Sequence, residues 1–265
     1  MKKMFIVMIL ALCAPWSRVI ADGITPIQIS IWSPIQVFPR DWDVVGLRYG
    51  GFYSRNSHVY GLDIGFFNRA DSSSGGIQLG LMNTVSDLGF GFFTVNLGRL
   101  SEIGKNIYRS DSGANYTGIQ LGFFYNHADD MRGLQLSPLV GVNQAVTLTG
   151  FQFAMINQCY SGSGLQLAWW FSVASHDFSG AQLGMLNICD NGVGLQLALF
   201  GNIADRDFSG AQITSGFFNF CTGSMTGAQI GLINYAGKMT GVQIGALNII
   251  KESPVPFLPV INAHF

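Results

Sequence analysis

Apolar and polar positions alternate along this chain in an eight-residue phrase that keeps returning. Its cleanest copy, residues 180–187, reads Gly-Ala-Gln-Leu-Gly-Met-Leu-Asn. Ala181, Leu183 and Met185 alternate with Gly180, Gln182 and Gly184, the period-2 signature of a strand with two unlike faces. As a pattern it is G-h-Q-h-G-h-h-N, with h apolar. Copies start at Gly46, Gly61, Gly76, Gly89, Gly104, Gly118, Gly133, Gly150, Gly164, Gly180, Gly194, Gly210, Gly227 and Gly241. Each step between starts is long enough for one strand and one turn. The Gly89 and Gly104 copies are degenerate and rest on the spacing.

A longer period overlies the short one. Asp177-Phe178-Ser179-Gly180-Ala181-Gln182 recurs two units later as Asp207-Phe208-Ser209-Gly210-Ala211-Gln212, while the Gly164 and Gly194 units between them share Gly-Leu-Gln-Leu-Ala. This predicts a true period of about 30 residues with two kinds of strand, as antiparallel hairpins or a flattened solenoid with two strands per coil would give. The phrase G-h-Q-h-G is nearly palindromic, which favours the antiparallel choice.

Asn-, Asp-, Ser-, Gly- and Thr-rich turns separate the units and hold almost every charge. The polar face predicts a ladder, either structural or lining a lumen, of Arg48, Asp63, Gln78, Gln120, Gln135, Gln152, Gln166, Gln182, Gln196, Gln212, Gln229 and Gln243. Arg48 and Asp63 take the Gln position in the first two units, and in-register pairing would make them a cross-strand ion pair.

The ends differ from the repeats. Lys2 and Lys3, the apolar run from Met4 to Cys13 and Val19-Ile20-Ala21 before Asp22 predict a signal peptide over residues 1–21. Cys13 suggests lipidation, but Leu12 before it is bulky where a small residue is wanted. No later stretch has 18 unbroken apolar residues, so no transmembrane helix is expected. Residues 22–265 then read as one repeat-built β domain: an entry strand within 22–45, tandem repeats over 46–248 and a closing strand over 253–265. In that last strand Phe257, Ile261, Ala263 and Phe265 alternate, as in the C-terminal targeting signal of outer-membrane barrels; Pro259 interrupts the series and belongs at a bulge or an unpaired edge.

Composition points the same way. Charged residues are only 11% of the chain against 48% hydrophobic, well under half the usual charge content of about a quarter. Removing the leader leaves 11 basic and 15 acidic residues, a net of −4 with no basic block, so nucleic acid is not an expected partner. Two architectures use such strands. In the expected one, an antiparallel outer-membrane-type β-barrel of about 14–16 short strands, apolar side chains meet lipid and Gly and Gln point inward. Aromatic pairs such as Phe123-Phe124 and Trp169-Trp170 would form its interfacial belts. The alternative is a two-strand-per-coil β-solenoid with apolar residues inside, Gln outside and an Asn ladder at each turn. Cys159, Cys189 and Cys221 follow one another at intervals of two units, so coils of two units would stack them within disulfide reach.

Catalytic chemistry is hard to find. His127-Ala128-Asp129-Asp130 and His176-Asp177 set imidazole beside carboxylate, but both lie in stretches read as polar turns. There is no His-x-x-x-His, no Cys-x-x-Cys and no phosphate loop. No enzyme activity, cofactor or metal is expected.

The tandem Gly-x-Gln-x-Gly-x-x-Asn units resemble the surface-repeat proteins first noted in leptospires and widespread in Gram-negative bacteria. The segments Pro26-Ile27-Gln28-Ile29-Ser30, Gly61-Leu62-Asp63-Ile64-Gly65 and Leu258-Pro259-Val260-Ile261-Asn262-Ala263-His264-Phe265 carry the resemblance as well. It implies residence at the surface or outer membrane and no defined activity. The expected function is a non-enzymatic outer-membrane barrel, structural or a small-solute channel, whose partners are the lipid bilayer and the outer-membrane assembly machinery. The alternative is a secreted solenoid adhesin or binding scaffold, in the medium or the periplasm.

Overall fold

The computed structural model describes residues 23–86 and 113–265. The predicted signal peptide and the Gly89 and Gly104 units lie outside the described residues. In chain order the strands are β1 (Ile24–Trp32), β2 (Ile35–Gln36), β3 (Asp43–Asn56), β4 (Val59–Ile64), β5 (Phe67–Ala70) and β6 (Ser74–Val85). They continue with β7 (Asn115–Ala204), an unbroken run of strand conformation that winds through the coils opened by Gly118, Gly133, Gly150, Gly164, Gly180 and Gly194, then β8 (Phe208–Thr214), β9 (Phe218–Ile230), β10 (Ile233–Ile250) and β11 (Phe257–His264).

The all-β expectation holds, but the barrel does not: the described residues form a β-solenoid of about 12 turns. Each single unit is one whole coil, so the expected coil of two units is also corrected. Residues 44–49 pair in parallel with 59–64, and residues 53–56 with 67–70, giving two short strands per coil. The first strands of successive coils build one sheet (sheet A) and the second strands another (sheet B). Register is kept coil after coil, with Gly46 on Gly61, Gly61 on Gly76, Gly76 on Gly118 and Gly227 on Gly241. Among the described residues antiparallel pairing occurs only at the ends, where β2 lies on β1 and β11 on β10.

Parallel register follows from the repeated glycine. At Gly180 the backbone takes φ +136°, and a Cβ would stand 2.0 Å from the carbonyl oxygen of Gly164. Only a residue without a side chain lets the coils close there. The near-palindrome pointed the wrong way, because parallel stacking sets Gln on Gln at least as well as antiparallel pairing does.

The faces of the solenoid are also the reverse of those expected for it. Gln and Asn point inward and are buried, while Leu, Ile, Phe and Trp from the strands and one turn point outward. Stacked amides at the interstrand spacing of about 4.8 Å each bond to copies before and after, so burial leaves few donors or acceptors unmet. Two further rows complete the interior. One, two residues before the coil glycine, holds Val44, Val59, Tyr116, Met131, Leu148, Phe178, Phe208, Met225 and Met239; the other, two residues after the Asn (or after Ser172, which takes its place in one coil), holds small residues such as Ala128, Cys159, Ala174 and Cys189. The two-unit alternation has its cause here: the Phe208 ring lies over Gly192 of the preceding coil, where any Cβ would stand 2.4 Å from it.

Candidate functional site

The predicted polar-face residues form one continuous interior row. From Gln243 back to Gln78, each Nε2 donates to the Oε1 of the Gln in the preceding stacked coil at 2.7 to 2.9 Å. Gln78 then donates to Oδ2 of Asp63 at 3.0 Å. The bonds all run one way, so the row presents donors toward its N-terminal end, where an anion is favourable. Asp63 supplies the anion and Arg48 neutralises it through two bonds of 2.7 and 2.6 Å, with both side chains buried. One step further, Gln28 stands in register with Arg48 and is closed by the backbone of Phe38, which it both donates to and accepts from. The entry segment thus ends the stack.

A second row, of asparagines, runs in the opposite sense. Nδ2 of Asn68, Asn83, Asn126 and Asn143 donates to the Oδ1 of the Asn in the following coil, ending on Asn157. The same pattern carries on from Asn187 through Asn202, Asn219 and Asn234 to Asn248. Ser172 stands between the two runs, and Asn187 Oδ1 is left buried without a partner. Opposed rows set the two lines of amide dipoles against each other, which limits the net dipole of the rod. An Asn ladder is thus present, as the solenoid alternative predicts, but it belongs to the interior and not to a turn. The sequence signal for this row is that one Asn follows each Gln of the stack except Gln166 a few residues later, as Asn187 follows Gln182 and Asn248 follows Gln243.

These rows occupy the space between the two sheets, so they act as structure rather than as the lining of a lumen. Cys159, Cys189 and Cys221 are buried and free. Cys221 has Ala204 and Ala236 as its neighbours in the stack, so cysteines two coils apart stand about 9–10 Å from each other, beyond disulfide reach. The expected cross-coil disulfide fails because the coil is half the predicted length. Burial pushes the Cys159 and Cys221 thiols up to about 12 and that of Cys189 upward as well.

The histidine clusters separate. His127 is not in a turn but in β7, in register with Thr84, with Nε2 3.3 Å from Asp129 Oδ1 and its Nδ1 buried without a hydrogen-bond partner. His176 and Asp177 are likewise in β7 and not in a turn, with His176 Nδ1 2.8 Å from Asp177 Oδ2 and half exposed. Among the described residues no group of three or more His, Cys, Asp or Glu could hold a metal ion.

Ionic contacts concentrate along the edge made by the polar turns: Arg206 with Asp190, Arg55 and Arg69 with Asp71, Lys238 with Glu252. The opposite edge is apolar, with Phe66, Phe123, Phe124, Trp169, Trp170 and Phe217 all exposed. At the C-terminal end β11 pairs Ala263 with Val242, Ile261 with Ile244 and Phe257 with Ile249, and a register shift falls at Pro259. Phe257, Ile261 and Phe265 are exposed, and β11 is the last strand of the sheet. Comparison with protein-family models, with curated proteins and with solved structures finds no match to this chain.

Proposed function

We propose that this protein is a non-enzymatic binding scaffold that works outside the cytoplasm, as an adhesin or docking rod of the bacterial surface. One observation carries the reading: the interior is filled by hydrogen-bonded amides and two packed rows of apolar and small side chains, so the side chains free to meet a partner are on the exterior of a long rod. Stacked repeats create extended surfaces of this kind. The interior Gln and Asn rows hardly change from coil to coil, whereas the polar edge does, with His176 and Asp177, then Asp190 and Asn191, then Arg206 and Asp207. Variation on a fixed frame suits recognition. The export signal read at residues 1–21 supports a place at the outer membrane or in the medium.

Attachment assays test this. Cells lacking the protein should adhere less to biological surfaces, and complementation with a chain carrying Asp177→Asn, Asp190→Asn and Arg206→Gln should restore less attachment than the unaltered chain. Unchanged attachment, together with ion conductance by the purified protein in planar bilayers, would overturn the reading.

A further inference from the structure

We infer that the outer face of sheet A and the adjoining apolar edge form a docking surface for a lipid bilayer, with the rod lying along the membrane. The inference rests on the exterior being the working surface, but it names a partner of its own. In each of the twelve described coils opened by a positive-φ glycine, the residues one and three places after that glycine face outward, and every one is apolar. Leu47 and Tyr49 begin the two rows, and Val242 and Ile244 end them. From Thr117 onward the row on the other side of the glycine, toward the polar edge, is mostly Thr and Ser, with one cation, Arg132, and one apolar residue, Val193; the first three coils have Val45, Tyr60 and Gly75 there. Across the rod the surface therefore passes from apolar, through hydroxyl, to charged, which is the order of a membrane–water boundary.

The size of the surface is unusual for a free monomer. Twelve coils at about 4.8 Å span roughly 58 Å, and five strand residues are about 13 Å wide, so sheet A alone offers on the order of 750 Å². The largest patch on a typical soluble monomer is about 300–600 Å². The apolar surface also turns a corner, from the sheet to the edge that bears Trp169 and Trp170, both exposed. A second copy with a flat face would cover one side of that corner, whereas a deformable bilayer covers both.

Lipid further requires that polar groups be met from within. At the apolar turns backbone bonds run from coil to coil: Leu81 N to Phe66 O at 2.9 Å, Phe217 N to Phe200 O at 3.0 Å, Leu247 N to Leu232 O at 3.0 Å. The indole N–H of Trp169 donates to Pro138 O at 3.1 Å. Its ring can enter a membrane without stranding a donor.

Flotation with phosphatidylcholine vesicles tests the inference, using the full chain freed of detergent. The protein should float with these net-neutral vesicles equally at low and high salt. Lipid brominated in its acyl chains should quench Trp169 and Trp170 in a chain whose Trp16, Trp32 and Trp42 are replaced by Phe. Leu121→Lys combined with Leu197→Lys should lower vesicle affinity about tenfold or more, while Lys238→Gln on the polar edge leaves it unchanged. Circular dichroism checks that the Lys variant is still folded; if it is not, the quenching result carries the test. Folded wild-type protein left in the lipid-free fraction overturns the inference. So does a discrete oligomer that ignores vesicles and falls apart in the Lys variant, since a second copy then covers the face. Flotation lost with attachment intact removes the bilayer alone. Flotation intact in a protein whose deletion leaves attachment unchanged supports the bilayer and removes the adhesive scaffold.

Discussion

The guanidinium of Arg48 grips both carboxylate oxygens of Asp63 one coil away, and neither side chain is exposed to solvent. The pair fills the two rungs at which the glutamine row would otherwise continue toward Gln28. Removing one partner of a buried pair strands a charge, at a cost of about 3–5 kcal/mol, while replacing both by groups that satisfy each other can be neutral. Arg48→Gln and Asp63→Asn are each expected to be strongly destabilising, and Arg48→Gln with Asp63→Gln to recover most of the loss. Urea unfolding of the three variants measures this. A double variant as unstable as the singles would show that the pair supplies something the amide row cannot.

Ser172 breaks the asparagine row and leaves Asn187 Oδ1 unmet. Its own hydroxyl points at Leu183 O from 3.4 Å, the kind of backbone carbonyl that Asn157 and Asn187 reach with Nδ2 at Leu167 O and Leu197 O. Ser172→Asn should therefore find both acceptors waiting. A completed buried hydrogen bond contributes about 1 kcal/mol, so the thermal midpoint should rise; a fall would mean that the site next to Trp170 and Phe171 has no room for the larger side chain.

The repeat, its two-faced strands and the partnership of Arg48 with Asp63 were legible in the chain because they depend only on spacing and alternation. The direction of pairing was not, since G-h-Q-h-G reads almost the same both ways and only the backbone at Gly180 shows that coils must close in parallel. Nor was the interior. A Gln row flanked by Leu and Ile rows reads as apolar-inward by ordinary hydrophobic reasoning, and only the unbroken succession of Nε2-to-Oε1 bonds explains why amides can be the buried side. The barrel expectation had the right faces and the wrong closure. Low charge content pointed to an apolar surface, which the solenoid carries on its outside.

Glycine substitutions should separate conformation from contact. At Gly113 the backbone takes φ +58° and nothing lies within 4 Å of the place a methyl group would occupy. Gly113→Ala therefore meets only the left-handed penalty of about 1–2 kcal/mol. Gly180→Ala meets a backbone penalty at φ +136° and also the Gly164 carbonyl oxygen, 2.0 Å from the new carbon. Relieving that contact means pushing two coils apart and breaking the register of Gln182 on Gln166. Gly180→Ala is expected to lower the urea midpoint well beyond Gly113→Ala, and equal losses would place the requirement in conformation alone.

The buried thiols make stability fall in alkali. An unfolded cysteine titrates near 9.0, whereas burial holds Cys159 and Cys221 up to about 12 and shifts Cys189 the same way. Below pH 9 the thiols are protonated in both states and their contribution is fully present. As pH rises further the unfolded chain releases protons that the folded chain keeps, so the native state loses about 1.4 kcal/mol per pH unit for each buried thiol until the folded thiol itself ionises. Alanine already fills the same row at Ala174, Ala204 and Ala236, which makes Cys159→Ala, Cys189→Ala and Cys221→Ala a structurally conservative set. The triple variant should show a flatter decline of urea midpoint from pH 9 to 11. Some slope should persist, because burial also raises Tyr116 and Tyr125 above the usual phenol value. A decline as steep as the wild type's would mean that the thiols already meet solvent in the native rod, and rapid reaction of the folded wild-type protein with a thiol reagent at pH 8 would say the same.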